Sequence, residues 1–200
     1  MLAEKGFSIT ELMISSVIGI LVIITATRFS ASLHHTLLDT RLANALEDEL
    51  RSLQELITQQ VSRADYLAYP PLATMPNLMT PAVSSTLQIS HFGSEQANSC
   101  ITFSYDKDNS GSYEHEQNEL LGYRLRNKAI EYRVAGKACN KGGWHDLTDA
   151  RTTSITRFQL ALISNTSWGK TILVSIDAHS AINQDIVSQR QFIIGIPNAR

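Results

Sequence analysis

The sequence FSITELMISSVIGILVIITAT, residues 7–27, decides how this chain is built. Glu11 is its only formally charged side chain, and Arg28 ends the stretch. As an α-helix rising about 1.5 Å per residue, these residues span roughly 30 Å, the hydrocarbon thickness of a bilayer. We therefore predict that residues 7–27 form a transmembrane helix.

Six residues precede this stretch, and Lys5 is the only basic one among them. No small-x-small cleavage site follows the apolar run, as it would in an ordinary secretory signal. We expect residues 1–6 to form a short leader that stays cytoplasmic while the remainder crosses to the periplasm. Glu4 offsets Lys5, so charge bias contributes little to this orientation.

The helical pattern continues beyond residue 28 but becomes amphipathic. Apolar residues recur at three- and four-residue spacing up to Val61, and Glu49 is the polar residue on that stripe. Pro70 and Pro71 prevent the helix from continuing. The pattern predicts one helix over residues 7–66, whose second half covers a globular domain.

A connector and a β-rich region follow the predicted helix. Four prolines fall among alanine, serine and threonine in residues 67–85, which indicates irregular structure. Beyond them, apolar residues alternate with polar ones, as in half-buried strands. The candidate strands are Thr86–Phe92, Cys100–Tyr105, Leu120–Arg126, Ala129–Val134, Ser154–Ser164, Thr171–Ala178 and Gln189–Ile196.

These patterns together predict an α+β fold, in which a long N-terminal helix packs against a C-terminal antiparallel β-sheet head. The first half of the helix spans the membrane, and the second half contacts the head. The predicted division of the chain is a leader (1–6), a helix (7–66, transmembrane over 7–27 and amphipathic over 28–66), a proline-containing connector (67–85) and a periplasmic head (86–200).

The sharpest local prediction is a β-hairpin that turns at Asn127-Lys128. Asparagine tolerates the positive φ that a two-residue hairpin turn requires. Counting outward places apolar residues on one face and an opposite-charge pair on the other; the pairs are Leu125 with Ile130, Tyr123 with Tyr132, Leu121 with Val134, and Arg124 with Glu131. Such a ribbon is half buried, with the charged pair on the solvent side.

Cys100 and Cys139 lie well beyond the membrane segment. An even cysteine count in an exported domain favours one disulfide, and the alternative is two unpaired buried thiols. A disulfide here would close a loop of about 40 residues and stabilise the fold by about 4 kcal/mol in the loop-entropy treatment.

Composition argues against nucleic-acid binding and catalysis. Seventeen basic and nineteen acidic side chains give a net charge of −2, without the excess of positive charge typical of nucleic-acid-binding proteins. The six histidines lack metal-ligand spacing, and no segment matches a nucleophile elbow. Lys137 and Lys141 flank a glycine loop, and the two lysines could contact DNA phosphates. Lysines in such a position are usually only solvated.

The run KGFSITEL, Lys5 to Leu12, carries the functional signal, because it resembles the type IV prepilin processing site. The resemblance implies that a membrane peptidase cleaves after Gly6 and methylates the new amine of Phe7. Glycine lacks a Cβ, so extended backbone can enter a narrow peptidase site. These properties imply an inner-membrane, single-pass protein that later joins a surface pilus.

Glu11 is costly in a membrane helix, at roughly 2.5–3.5 kcal/mol near the bilayer centre and less near the edge. The resemblance implies that Glu11 pairs with the N-terminal amine, at Phe7, of a neighbouring subunit and so sets the register of a filament. The alternative is a plain signal anchor in which Glu11 is merely tolerated at the interface.

The head also resembles PilW-type minor pilins, in the runs CITFSYD (100–106), GYRL (122–125) and GGW (142–144) and in Cys139. This implies a structural, non-enzymatic subunit that helps initiate pilus assembly, with a place at the filament tip. Its partners would be other major and minor pilins, prepilin peptidase and the inner-membrane assembly platform. Two alternatives are a type II secretion pseudopilin and a membrane-tethered module that binds calcium, DNA or a surface ligand.

Residues 106–117 begin like a calcium loop. Asp106, Asp108 and Ser110 offer oxygen atoms at alternating positions, and Gly111 is sixth. Gln117 stands where such a loop needs a bidentate glutamate, and a strand rather than a helix precedes the loop. We therefore expect no obligatory cofactor, with calcium at these residues as one interpretation and a solvated turn as the other.

Overall fold

A computed structural model of the chain describes residues 8–68, 85–114, 116 and 118–199. Two compact units divide the chain, Met1–Leu42 and Ala43–Arg200. One α-helix, α1 (Ile9–Val61), contributes residues to both units. The predicted leader and nearly all of the predicted connector lie outside the described residues, so the predicted domain division stays a prediction.

The first unit contains the apolar part of α1. Its large aliphatic side chains are exposed from Ile9 to Ile24, and Leu33, Leu37 and Leu38 are exposed as well. Glycine and β-branched residues lower helix propensity in water. Here they lie in a segment whose surroundings would be lipid, where a helix satisfies its own backbone groups.

In the second unit, α1 buries one face. The buried side chains repeat every three or four residues, as the amphipathic stripe predicts; they are Leu46, Leu50, Leu53, Ile57 and Val61. Glu49, the polar member of the stripe, is half-buried, and its carboxylate accepts a hydrogen bond from the Thr153 hydroxyl.

The helix ends at Val61, five residues before the expected Tyr66. Ala64 and Tyr66 close tight turns onto Val61 and Arg63, and Asp65 adopts a positive φ of 61°. The Asp65 N–H donates to the Ser104 carbonyl at 2.8 Å instead of to its own helix. A tertiary hydrogen bond therefore ends the helix before the prolines that the sequence marked as its limit.

Five antiparallel strands form the first sheet, in the order β1-β2-β3-β4-β5. The strands are β1 (Gln88–Ser90), β2 (Cys100–Ser104), β3 (Leu120–Arg126), β4 (Ala129–Tyr132) and β5 (His145–Asp146). Four of them overlap predicted strands. Strand β5 was not predicted, because its two residues carry no alternation and pair only with Glu131 and Tyr132 of β4.

The predicted hairpin and its register are confirmed. Asn127 and Lys128 both have positive φ, and Leu125 pairs with Ile130 as counted. The expected Leu121–Val134 pair lies beyond the end of β4. The prediction of a half-buried ribbon is wrong for the charged face, since Arg124 and Glu131 are both buried.

Three long antiparallel strands form the second sheet, in the order β6-β7-β8. They are β6 (Thr153–Thr166), β7 (Gly169–Ser180) and β8 (Val187–Ile196), and each contains a predicted strand. Buried and more exposed side chains alternate along β7 and most of β8, as in a sheet with one covered face. Irregularities near residues 156 and 163 interrupt this alternation in β6.

One hydrophobic core joins both sheets with the buried face of α1. Phe103 and Ile130 from the first sheet and Phe158 and Ile176 from the second are fully buried in it. Backbone hydrogen bonds link the sheets directly, from Ile155 N–H to the Lys128 carbonyl at 2.9 Å among others. The observed architecture confirms the predicted α+β class.

Candidate functional site

The N-terminal end of α1 holds the residue that the sequence singles out most strongly, Glu11. Its Oε2 accepts a hydrogen bond from the Ser8 backbone N–H at 3.1 Å, and Leu12 N–H closes the first turn onto the Ser8 carbonyl. Ser8 stands at the N-cap position and Glu11 at the third helical position, as in a capping box. Gly6 and Phe7 lie outside the described residues.

The capping arrangement was not predicted, although the S-x-x-E spacing of Ser8 and Glu11 is a signal for it. A carboxylate at a helix N-terminus satisfies an orphan N–H and faces the positive end of the helix dipole. Glu11 therefore has a local partner within its own chain. A neighbouring subunit's amine would have to compete with the Ser8 N–H or share the carboxylate with it.

The helix beside Glu11 is suited to a membrane. Helix α1 is long and apolar enough to cross a membrane by length and composition. No residue of its most apolar part is buried in the protein. It fits a single-pass membrane anchor, because so many exposed aliphatic side chains would be unfavourable in water.

On the head, the predicted disulfide is confirmed, with the Cα atoms of Cys100 and Cys139 6.1 Å apart. It ties the first residue of β2 to the segment between β4 and β5, here named the cover loop (residues 133–144). Trp144 of this loop contacts the sheet at Gly122, where a Cβ would lie 3.2 Å from the indole ring. The Trp144 indole thus packs over a glycine of the first sheet.

Arg124 lies beneath the cover loop and is fully buried. Its Nη1 donates to the carbonyl oxygens of Cys139 and Lys141 at 2.6 and 2.7 Å, and its Nε donates to Glu131 Oε2 at 2.6 Å. Nη2 lies 2.5 Å from the same oxygen, although not at a hydrogen-bonding angle. Three hydrogen bonds and one close ionic contact hold a charge that the interior would otherwise disfavour.

Aromatic rings complete the surroundings of Arg124. The guanidinium carbon is 4.7 Å from the centre of the Phe92 ring and 4.5 Å from that of Trp144. Burial lowers the pKa of Arg124, and the hydrogen bond that Arg124 donates to Glu131 partly opposes this effect. An arginine pKa starts so high that the side chain stays charged, so the paired carboxylate and the ring faces stabilise a cation.

Two glutamates bind the amphipathic part of α1 to the second sheet. Glu47 accepts hydrogen bonds from the Ser188 hydroxyl and the Arg190 guanidinium of β8, and Glu49 accepts one from Thr153 of β6. The Ser188 hydrogen bond, the largest effect, and the Arg190 contacts hold the pKa of Glu47 below its ordinary value. These contacts orient the helix on the sheet in a way that apolar packing alone would not.

The acidic loop brings Glu119 close to two of the predicted calcium ligands. Carboxylate oxygens of Asp106, Asp108 and Glu119 lie within 4.8 Å of one another. The Ser110 hydroxyl contacts Ser112, and its N–H donates to Asp106 and Asp108. Glu119 lies two residues beyond Gln117, the position at which a calcium loop carries its bidentate glutamate.

Backbone donors already occupy the carboxylates of this cluster. Asp106 accepts N–H groups from Ala68, Ser110 and Gly111 at 2.8–3.0 Å. Burial raises the pKa of Asp106, but these hydrogen bonds outweigh it and hold the pKa below its ordinary value. A cation at this cluster would therefore have to compete with hydrogen bonds that shape the loop.

Comparison with known proteins identifies the family. The sequence profile of prepilin peptidase-dependent protein B matches residues 39–196. The chain belongs to the prepilin peptidase-dependent protein B family. A member from Escherichia coli (strain K12), also described as prepilin peptidase-dependent protein B, is 23% identical over 180 residues, which is 88% of each chain. No solved structure matched the chain.

The profile of the prepilin peptidase-dependent protein B family covers the second half of α1 and the head as far as Ile196. It therefore includes the disulfide, Arg124 and the acidic loop, but not Glu11. The match confirms that the chain belongs to a pilin-like family, as the resemblance to prepilins predicted. It does not test the more specific assignment to PilW-type minor pilins. The prepilin-like run at residues 5–12 lies outside the matched region.

Proposed function

We propose that this protein is a minor type IV pilin, a structural subunit that helps to initiate pilus assembly and has a place at the filament tip. The observation that carries this proposal is the prepilin peptidase-dependent family match over residues 39–196, which follows a prepilin-like motif in the same chain. A PilW-type head is consistent with the disulfide and with the GYRL segment of β3.

In this proposal, the leader, the apolar helix and Glu11 each have a separate role. Prepilin peptidase removes residues 1–6 after Gly6 and methylates Phe7, and residues 7–27 hold the subunit in the inner membrane. The Glu11 carboxylate then pairs with the Phe7 amine of a neighbouring pilin at the assembly platform. Because neither charge is stable alone in lipid, pairing favours one register between subunits.

The head has a supporting role in the same proposal. It lies in the periplasm before assembly and on the cell surface afterwards, and it acts without catalysis. Its disulfide and buried Arg124 stabilise a small second cluster outside the main core. Such a cluster suits a domain exposed to an oxidising, protease-containing environment.

The decisive experiment counts surface filaments by electron microscopy in a deletion strain and in its complemented parent. We expect filaments to fall steeply in the deletion strain and to return with the wild-type gene. Filaments in normal number would contradict the assembly role and favour a type II secretion pseudopilin or a dispensable binding subunit.

Variants of the complementing gene test the role of Glu11. Glu11→Val should leave membrane insertion intact, because it removes a charge from the helix, and should reduce the subunit's incorporation into filaments. Glu55→Val is the matched control, since Glu55 lies on the same helix with its side chain exposed and in contact with Arg51. Equal incorporation of both variants would contradict the pairing role.

A separate variant tests processing. Replacing Gly6 by leucine should leave the leader attached, because a branched side chain obstructs the extended backbone in the peptidase site. The intact mass of the purified protein reports the result. A mass that shows removal of residues 1–6 in Gly6→Leu would contradict the assignment of the cleavage position.

A further inference from the structure

A cavity of about 480 Å³ opens on the outer face of the first sheet, beside the disulfide. Gln88 of β1 pairs with Thr102 of β2, and Ser90 pairs with Cys100, so these side chains share the face that the cover loop overlies. The described residues that line the cavity are Gln88, Ser90, His91, Gly93, Thr102, Arg133, Ala138, Cys139 and Asn140. None of these is an aspartate or a glutamate.

Arg133 is the permanent cation of this cavity and is half-buried. Its guanidinium donates to three backbone carbonyls, those of Leu121, Gly136 and Lys137, at 2.6–3.3 Å. A guanidinium has five N–H groups, so two remain available. In residues 8–68, 85–114, 116 and 118–199, no carboxylate forms an ion pair with Arg133.

The sequence around Arg133 also contains positive charges without neighbouring negative ones. The cover loop contains Arg133, Lys137 and Lys141 but no acidic residue. Lys137 donates to the Gly143 carbonyl at 3.2 Å, which holds a second cation near the loop. Burial lowers the pKa of Arg133, as expected for a cation without a counter-charge. Arg124, by contrast, has Glu131 as its partner.

The carbonyl contacts fix the Arg133 side chain before any ligand arrives. An immobilised arginine loses little further conformational entropy when it binds an oxyanion, and a carboxylate or phosphate can use two of its N–H groups at once. The other lining side chains, namely Gln88, Ser90, Thr102 and Asn140, offer neutral hydrogen-bond donors and acceptors. That combination suits a ligand with one anionic group and several hydroxyl groups.

The volume argues for more than a bare oxyanion. Small-molecule sites usually measure roughly 300–1,000 Å³, and one water occupies about 30 Å³ of liquid, so an isolated phosphate would leave most of this cavity to water. We propose that the cavity binds an anionic sugar, whose carboxylate pairs with Arg133 and whose hydroxyl groups contact Ser90, Thr102 and Asn140.

The test is calorimetric titration of the full chain in detergent with D-glucuronate. D-Glucose tests the need for the carboxylate, and inorganic phosphate tests the need for the sugar. We expect glucuronate to bind with a dissociation constant of about 1 mM or lower, as for a small polar ligand, and both comparison ligands to bind at least about tenfold more weakly. Equal binding of glucose, or equal binding of phosphate, would overturn the proposal.

Variants locate the site without removing Arg133, which the cover loop needs for its own structure. Ser90→Asp places a carboxylate in the cavity at an exposed strand position and should weaken glucuronate binding at least tenfold. Ser164→Asp makes the same change at an exposed position of the second sheet and should bind as the wild type does. Wild-type affinity in Ser90→Asp, or an equal loss in both variants, would refute this location.

Discussion

Replacing Glu131 by glutamine would test how the second cluster of the head is held together. Glu131 is 5% exposed, and one of its oxygens contacts both Nε and Nη2 of Arg124. Arg126 lies farther away, with its Nη1 3.9 Å from the other oxygen, and is partly exposed. The substitution keeps the side-chain volume but leaves the Arg124 cation buried without a counter-charge.

The expected loss of unfolding free energy follows from the burial of both Arg124 and Glu131. Breaking a buried ion pair from one side typically costs about 3–5 kcal/mol, because the remaining charge loses its compensation. The ring contacts with Phe92 and Trp144 remain and offset part of this loss. For a domain of this size, 1 kcal/mol corresponds to a shift in melting temperature of about 2–4 °C, so we expect a decrease of about 6–20 °C.

The assay is thermal unfolding of the full chain in detergent, followed by Trp144 fluorescence. Trp168 is 87% exposed, so Trp168→Phe leaves Trp144 as the single tryptophan at little structural cost. Glu55→Gln in the same background is the matched control. It removes the carboxylate of an exposed pair at i,i+4 on the helix, worth about 0.3–0.5 kcal/mol.

A second comparison separates the ion pair from general packing. In an Arg124→Met background, Glu131→Gln should cost far less, because a buried carboxylate without its cation is itself unfavourable. Equal effects of Glu131→Gln in both backgrounds would refute the coupling. So would a decrease in melting temperature no larger than that of Glu55→Gln.

Three further predictions concern the helix and the acidic loop. Leu50→Ala should lower the free energy of unfolding by about 2–5 kcal/mol, measured by thermal unfolding, because it creates a cavity in the core; Leu37→Ala, at a position 49% exposed, should change it little. The fold lowers the pKa of Glu47, so the ionised carboxylate stabilises the fold above its ordinary pKa of 4.5, and this stabilisation is lost as the pH falls through the lowered pKa. Glu47→Gln should therefore make the melting temperature depend less on pH on the acid side. An unchanged dependence on pH would contradict this. Asp106→Asn should lower the free energy of unfolding by about 1–3 kcal/mol at pH 7, because three backbone N–H groups donate to its carboxylate, and Asp108→Asn should lower it less. We also expect millimolar calcium to leave the melting temperature of the wild type unchanged. A calcium-dependent increase that Asp108→Asn abolishes would establish a cation site instead.

Local sequence patterns predicted most of the secondary structure. The strand periodicity located seven of the eight strands, and the turn at Asn127-Lys128 set the register of β3 with β4. Strand periodicity and turn type both depend on residues close in sequence, so they can be recognised without knowledge of the rest of the fold. The two-residue strand β5 was missed, because only its pairing with β4 defines it.

The environment of Arg124 could not be predicted in the same way. Alternation placed Arg124 and Glu131 on one face of the hairpin, and a charged pair on a strand usually faces solvent. The disulfide holds Cys139 against Cys100, and the cover loop then buries that face under Trp144. Which side chains a loop covers depends on contacts between residues far apart in sequence, and alternation contains no information about them.

The sequence by itself determined the apolar helix, the prepilin-like motif, the strand pattern and the cysteine pair, because each is a property of residue type and short spacing. The tertiary structure alone decided where α1 ends, since the Asp65 N–H bonds to Ser104 of β2. It alone decided that the Glu119 carboxylate lies within 4.8 Å of those of Asp106 and Asp108. It also decided that Arg124 is buried against Glu131, while Arg133 lines a cavity and has no carboxylate partner among the residues that the structure describes, because burial and charge compensation are set by neighbours that only folding brings together.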